Sequence, residues 1–394
     1  MIYKVINAQE MREVRELWDY CFEKKDTPFF QYYFNEYCGK DNLVVGGFNE
    51  VGKTKKLRTM LHLNPYVLRL RGREQQVPYI VGVATAPEAR GQHLFAPLLQ
   101  KALELALAQK SIFVILMPIN AGIYLPYEFS FYCYRHAYKM PMSQLVLPKA
   151  GSDLPVEHVE LNAELLAPIY ARVTAAWNGV AKRSDFQWHK LLQVSVLENT
   201  QCAVVYRDDA AVGYMLYTLA DETFNVVELL ADDFAAQNRL LRYAAQHKSE
   251  AREFSWLATQ WDKTYLYFSD QNLTGKLAPF MMARCLDARA ALLQLPLGAN
   301  LPEGELVVVL KDKALACNNH RLLLRTALGK LEVVNTTLPE DVSMDMGVFT
   351  QLYFGTFSAT ELWEAGKLQC TQAQKLAILD KLLPKQRNYI NEYF

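Results

Sequence analysis

The sequence has no excess of either charge: 42 Lys and Arg stand against 42 Asp and Glu in 394 residues. With no net field, a general electrostatic attraction to nucleic acid or to an anionic membrane is excluded, and only local patches remain. Paired cysteine motifs are also missing. The seven cysteines, at 21, 38, 133, 202, 285, 317 and 370, form no CxxC, and no histidine stands at metal-ligand spacing from them, so no metal site is expected. Scattered thiols in odd number point to a reducing, cytoplasmic setting. Long apolar runs are missing too: the longest, Ile112 to Ile119, falls far short of the roughly 20 residues that span a bilayer. The opening MIYKVINAQEMREVRELWDYCF lacks the basic-then-apolar order of a signal peptide. No internal repeat or low-complexity tract is present, which excludes solenoids and propellers.

What is present is an ordinary globular composition, 51% hydrophobic and 21% charged, in a chain long enough for two to four domains at roughly 100 to 200 residues each. Two clusters of loop-forming residues divide it. LPKAGSDLP and LPLGANLPEGE place boundaries near 150 and 290, giving segments 1–150, 151–290 and 291–394. In the first, QEMREVRELWDYCF carries apolar residues at the spacing of one helical face. TMLHLNPYVLRL and QQVPYIVGVAT are β-rich and joined by RGRE, which predicts a hairpin. FAPLLQKALELALAQK reads as a helix and SIFVILMPI as a buried strand, so a strand, helix, strand unit with parallel pairing follows. The middle segment offers a helix in LNAELLAPIYARVTAAW, a strand pair in QCAVVYRDDAAVGYMLYTLA turning at Arg207 to Ala210, and a helix in LLRYAAQHK. The last segment offers strands in ELVVVLKD and LEVVN and a helix from about Thr371 to Leu382. All three segments mix strands and helices, the α/β (α+β) class.

Chemistry concentrates in VGVATAPEARGQHLFAPLLQKAL, Val81 to Leu103, where a strand, a short polar loop and a helix start follow one another. Free backbone N–H groups at a helix N-terminus can hold a pyrophosphate, and Arg90 adds a fixed positive charge. An ordinary strand-to-helix turn has the same spacing, and spacing by itself favours that simpler reading. The motif itself resembles the acetyl-coenzyme A motif of the GNAT N-acetyltransferases, with its V-x-P-x-x-R-G-x-G type of turn. One departure stands out: His93 occupies the place of the second glycine, with Phe95 two residues on. His93 can donate to a phosphate or cover it, and both alternatives stand.

LMPINAGIYLPYEFSFYCY is similar to the GNAT segment in which a short helix after a strand presents a tyrosine near the cofactor sulfur, and the matching residue is Tyr124. The neighbouring Tyr127, Phe129, Phe131, Tyr132 and Tyr134 read as core. Further along, MMARCLDARAAL, DMGVFTQLYFGTFSATEL and the ending LLPKQRNYINEYF resemble the Eis (enhanced intracellular survival) family of N-acetyltransferases, and this resemblance runs through the whole chain in order.

The resemblance implies tandem GNAT-like domains with mixed sheets, the second without the cofactor motif, and a C-terminal sterol-carrier-protein-like domain. It further implies a soluble, hexameric transferase that moves acetyl from acetyl-CoA directly to an amine of aminoglycoside or lysine type, with no nucleic acid and no metal involved. Tyr124 is then the general acid and the α-carboxylate of Phe394 the general base. A terminal carboxyl with an ordinary pKa of about 3.3 to 3.7 is ionised at neutral pH and suits that role. Val83, Ala84 and Thr85 match the strand backbone that meets the pantetheine. Arg90, Gly91, Gln92, His93, Leu94, Phe95 and Ala96 match the pyrophosphate turn, and Ile119 and Asn120 lie beside the pantetheine on the next strand. The aromatic run TPFFQYYFNEYC can line an acceptor pocket or belong to the core. A rival from a different class is a non-catalytic small-molecule or lipid-binding protein whose cofactor turn, with His93 and Phe95, has degraded.

Overall fold

The computed structural model describes residues 1–38, 42–51, 54–268, 275–296 and 303–393. The chain divides into two compact units, one made of Met1–Tyr132, Asn178–Lys182 and Met281–Phe394, the other of Cys133–Trp177 and Arg183–Phe280.

The first unit opens with β1 (Ile2–Val5), α1 (Met11–Cys21), α2 (Pro28–Tyr32) and a π-helical turn over Tyr33–Tyr37. A sheet follows: β2 (Leu43–Val51), β3 (Thr54–Leu70), β4 (Arg73–Thr85), then α3 (Phe95–Ala108) and β5 (Phe113–Leu116). The order is β1-β2-β3-β4-β5, antiparallel except for the parallel β4–β5 pair that the strand, helix, strand reading requires. RGRE makes the expected hairpin. Arg71 and Gly72 both take positive φ, +48° and +76°, the two-residue turn whose twist matches that of its strands. One sheet face is covered by α1, through Val14, Leu17 and Trp18, together with Phe30, Tyr33, Phe34 and Tyr37. The opposite face is covered by α3, through Leu98, Leu99, Ala102, Leu103 and Ala106. The aromatic run is therefore largely core, with Phe29 and Tyr32 half-buried.

The second unit holds β6 (Ser130–Pro141) from Cys133 on, β7 (Val156–Val159) and α4 (Ala163–Val173). The chain then supplies β8 (Val180–Ala181) to the first unit, beside Leu68 and Arg69 of β3. Back in the second unit come α5 (Asp185–Leu197), β9 (Gln201–Arg207), β10 (Ala210–Ala220), β11 (Thr223–Ala231), α6 (Phe234–Ala244) and β12 (Glu253–Thr259). Its strand order is β7-β9-β10-β11-β12-β6, again with one parallel pair, β11–β12. The predicted turn at Arg207 to Ala210 is present, with Asp208 and Asp209 at positive φ.

From β13 (Lys276–Cys285) the chain rejoins the first unit, where Met282–Cys285 pair antiparallel with β5. Then come α7 (Ala288–Leu293), β14 (Gly304–Lys311), β15 (His320–Ala327), β16 (Lys330–Asn335), β17 (Val342–Asp345), α8 (Met346–Phe354), α9 (Ala359–Glu364), β18 (Gln369–Cys370) and α10 (Leu376–Leu382). The helix expected from Thr371 begins five residues later: Thr371 bonds back to Asp341, and Ala373–Lys375 form a 3-10 turn before α10. The five strands form one sheet, β16-β15-β14-β17-β18.

The end of α8 shows how the hairpin tip and the C-terminal elements of this unit are joined. Gly355, at φ +67°, closes the helix in a left-handed cap, and Thr356 N–H reaches back to the Gln351 carbonyl. The Leu352 carbonyl, which also takes the Gly355 N–H, and the Tyr353 carbonyl accept from the buried guanidinium of Arg71, at 3.0 and 2.6 Å, and a third bond runs to Pro384. Among the described residues no helix is long and apolar enough to cross a membrane.

Candidate active site

The feature that organises the first unit is where β4 and β5 part. They pair only at Tyr79 with Ile115 and Ile80 with Leu116; β5 then stops, two residues before Pro118, while β4 runs on to Thr85. Just past the last pair, β4 bulges. Met60 faces Ala84 and His62 faces Val81, so Gly82 and Val83 together oppose Leu61. Gly82 has φ +57°, and a Cβ there would sit 2.5 Å from Trp18 and 3.2 Å from His62. Only glycine supplies both the conformation and the room. After the bulge Ala84 and Thr85 pair again with Met60 and Thr59 of β3, while the other edge of Val83, Ala84 and Thr85 lies beside a strand that has already ended. The Ala84 carbonyl accepts from the Thr59 hydroxyl at 2.9 Å, and the Thr85 carbonyl from Arg90 Nε at 3.3 Å.

Beyond Thr85 the chain makes a 3-10 turn, Pro87–Ala89, and an exposed loop into α3. Gly91 and His93 both have positive φ, +77° and +55°. His93 thus holds the left-handed conformation that the missing glycine would otherwise supply. Among the described residues, the amides of Gly91, Gln92, His93, Leu94, Phe95 and Ala96 donate to no protein acceptor, and no side chain caps α3. Unpaired N–H groups in sequence, on the positive end of a 14-residue helix, form a site for an anion such as a pyrophosphate. Arg90 is exposed, with its Nε engaged in holding the turn. Pro97, lacking an N–H, costs the helix nothing at this position.

Phe95 is half-buried and packs edge-on against Tyr124 and Tyr127, with ring centroids 5.6 and 5.4 Å apart. Its bulk thus ties the start of α3 to the 3-10 turns Ala121–Ile123 and Leu125–Tyr127. Tyr124 is 8% exposed, and burial pushes its phenol up to about 12. Ile119 and Asn120 lie past the end of β5, in the following loop and not on the strand as expected. Ile119 is 97% exposed, and the Asn120 side chain accepts from Gly122 N–H to start the 3-10 turn. Phe394 lies outside the described residues. The tail before it is buried through Glu392, whose carbonyl accepts from the Tyr79 hydroxyl at 3.3 Å, and Tyr79 belongs to the two-residue stretch that β4 pairs with β5.

Sequence reasoning missed a buried polar group on β3. His62 is fully buried; its Nδ1 shares a 2.7 Å hydrogen bond with the Tyr33 hydroxyl and its Nε2 has no partner. Burial drives its pKa down to about 3, so the ring is neutral. The available signal was HLNPY within a strand, where His62, Asn64 and Tyr66 alternate onto one face.

In the second unit the corresponding helix start is closed. β10 and β11 carry a bulge of the same kind between Leu216 and Tyr217, and β11 pairs with β12 only over Thr223–Val226. The next helix, α6, is capped by the Asp233 carboxylate, which accepts from Ala236 N–H at 2.9 Å and holds Arg207 at 2.8 Å.

Family models match three stretches of the chain. Two described as acetyltransferase (GNAT) domain match residues 3–132 and 179–285, and one described as sterol carrier protein domain matches 288–391. No curated protein matches the chain. Among solved structures it shares its fold with a probable N-acyltransferase from Enterococcus faecalis V583, at 21% identity and TM-score 0.86 over 100% of this chain and 99% of that one. A GCN5-related N-acetyltransferase from Anabaena variabilis follows at 19% identity and TM-score 0.83, covering 100% of both. Eis1 from Mycobacterium abscessus matches at 17% identity and TM-score 0.71 over 89% of this chain and 90% of that one. The fold and the matched domains define a GNAT acetyltransferase. Within that class the chain carries two GNAT domains followed by a sterol carrier protein domain.

Proposed function

We propose that this transferase moves an acetyl group from acetyl-CoA directly to a primary amine of aminoglycoside or lysine type. One observation carries the reading: consecutive unpaired amides from Gly91 to Ala96 stand at the start of α3, directly beyond a bulged strand whose β5 side has no partner past Ile80. These residues fit an acyl-CoA. The amides and Arg90 would hold its diphosphate, the backbone of Val83, Ala84 and Thr85 its pantetheine arm, and Ile119 and Asn120 the loop beside that arm. The bound thioester supplies an activated carbonyl. The backbone at Val83 polarises that carbonyl as charge develops. Tyr124, protonated throughout the physiological range, gives a proton to the leaving thiolate, and the α-carboxylate of Phe394 takes one from the attacking amine. The donor binds the first GNAT domain alone, because Asp233 would face phosphates with a carboxylate in the second. The domain limits 1–150, 151–290 and 291–394, a hexameric assembly and a cytoplasmic setting belong to the same reading, on the strength of the Eis-like domain order.

The test is thiol release from acetyl-CoA over a panel of aminoglycosides and lysine peptides. Wild type should turn over at least one amine. Tyr124→Phe should lower kcat by about 10- to 100-fold with KM for acetyl-CoA little changed, as removal of a general acid does. A one-residue extension after Phe394 should cost at least as much. A wild type that neither turns over any amine nor gains thermal stability from acetyl-CoA sinks the reading and favours the apolar-ligand alternative.

A further inference from the structure

The segment Asn178–Lys182 leaves the middle stretch of the sequence and joins the first unit. There Val180 and Ala181 of β8 pair with β3, and Gly179, at φ +67°, packs where a Cβ would lie 2.7 Å from the Tyr132 ring. This excursion meets the C-terminal tail. Asn178 N–H donates to the Arg387 carbonyl at 2.8 Å, and the Asn178 carbonyl accepts from Tyr389 N–H at 2.9 Å. Among the described residues the stretch 384–393 contains no helix or strand, and its single bridge is this one, yet Asn388 through Glu392 are buried. Buried backbone outside a helix or sheet must find its partners elsewhere, and Asn178 supplies two of them.

The Asn178 carboxamide binds in three directions at once. Its Oδ1 accepts from Arg71 N–H at the hairpin tip, at 2.6 Å. Its Nδ2 donates to the Phe354 carbonyl at the end of α8, at 3.0 Å, and to Asn388 Oδ1 on the tail, at 2.7 Å. A backbone N–H only donates and a backbone carbonyl only accepts, so these partners fix which way the amide points. Aspartate has no donor for the Phe354 carbonyl, and alanine has neither group. Asn388 Nδ2 continues the network to Thr356 Oγ1 at 3.4 Å, and the Thr356 hydroxyl donates to the Tyr132 carbonyl at 3.1 Å. One buried side chain thus joins the hairpin tip, the close of α8 and the tail. By Glu392 the tail has reached β4, where the Tyr79 hydroxyl donates to it.

We infer that Asn178 is the positioning residue of the C-terminal tail: it sets the path of residues 387–392 to β4, and with it the place of the terminal carboxylate. The inference rests on the reading above in which that carboxylate takes the proton from the amine. It adds that the base is held by a side chain from the middle of the sequence, clasped between the β3–β4 hairpin and α8. A displacement of about 1 Å in a reacting group can cost about 100-fold in rate, so a clasp remote from the chemistry controls it.

A double-mutant cycle on the full chain tests this, with Asn178→Ala, a one-residue extension after Phe394, and the two together. Asn178→Ala should lower kcat about 10- to 100-fold with KM for acetyl-CoA little changed. In the extended chain, where the carboxylate is already displaced, the same substitution should cost nothing further. A defect of folding alone would slow both chains by the same factor. Asn388→Ala cuts only the tail side of the clasp and leaves the Arg71 and Phe354 bonds in place, so it should show the same pattern more weakly with a melting temperature close to that of wild type. Carboxypeptidase digestion read by mass spectrometry reports on the tail without any substrate: wild type should keep Glu392, and both variants should be trimmed past it. Variants as fast as wild type, a loss of the same factor in both chains, or tails digested alike in all three proteins would overturn the positioning role. An extension that leaves kcat unchanged, or a wild type with no turnover, would instead overturn the carboxylate reading, and this inference with it.

Discussion

His62 makes the stability of the first unit depend on acidity in a calculable way. Its ring is fully buried against Trp18, Tyr33 and Phe34, and burial moves its pKa from 6.5 down to about 3. The unfolded chain takes up a proton near pH 6.5 that the folded chain refuses until about pH 3, so stability is lost as pH falls through that window. A gap of about 3.5 pH units is equivalent to about 5 kcal/mol when fully expressed, and to about 2 kcal/mol at pH 5 relative to neutral pH. The perturbation is His62→Gln, which keeps a polar group near the Tyr33 hydroxyl but does not titrate. The assay is native-state hydrogen exchange of peptides from β3 and β4 in a urea series, which reads the opening of this unit separately from the other. Wild type should lose about 2 kcal/mol more than the variant between about pH 7.5 and pH 5. Equal losses in the two proteins would refute the argument, because they would mean that the folded ring charges as easily as the unfolded one.

Gly82→Ala should destabilise the first unit by about 2 kcal/mol or more and raise KM for acetyl-CoA, since it adds a left-handed alanine and a methyl in collision with Trp18; thermal melts and steady-state kinetics read both. Arg71→Met should cost about 3 kcal/mol, because three buried or part-buried bonds from a charged donor are lost and the Tyr353 carbonyl is left without that donor, and a melting temperature unchanged from wild type would count against it. The rate profile should show no alkaline loss from Tyr124 below about pH 10, since burial pushes that phenol up to about 12 and keeps it protonated; a limb near pH 9 that vanishes in Tyr124→Phe would contradict this.

The elements legible in the sequence are those whose pattern is local. QEMREVRELWDYCF places Val14, Leu17 and Trp18 on one face of α1, and RGRE turns β3 into β4 because Arg71 and Gly72 can take positive φ together. The strand, helix, strand order after β4 follows for the same reason. What was not legible depends on residues far apart in the chain. Gly82 in VGVAT looks like any small residue of a strand until Trp18 and His62 are brought against it. Glu128 sits inside an aromatic run, and its neighbours Arg284 and Asp312 come from more than 150 residues away. Ile119 reads as the end of an apolar strand, but Pro118 leaves the preceding residues only four places in β5.

The two GNAT domains separate the legible from the illegible within one chain. Each has a bulged strand, a helix after it and a short parallel pairing, so the scaffold alone does not distinguish them. The distinction lies in the connection. In APEARGQHLFAP the loop ends at Leu94, an apolar residue with no acceptor to offer, and the amides from Gly91 to Ala96 stay unpaired. In ADDFAAQN the strand runs into the helix through Asp232 and Asp233, and the second of these satisfies the helix start with its own carboxylate. A capped terminus is the more stable arrangement by about 1 kcal/mol. That stability is missing at α3, in the one place where an anionic donor could replace the cap. Between the two GNAT domains the uncapped start of α3 is therefore the clearest trace of function, and it can be read from Leu94 before α3 against Asp233 before α6.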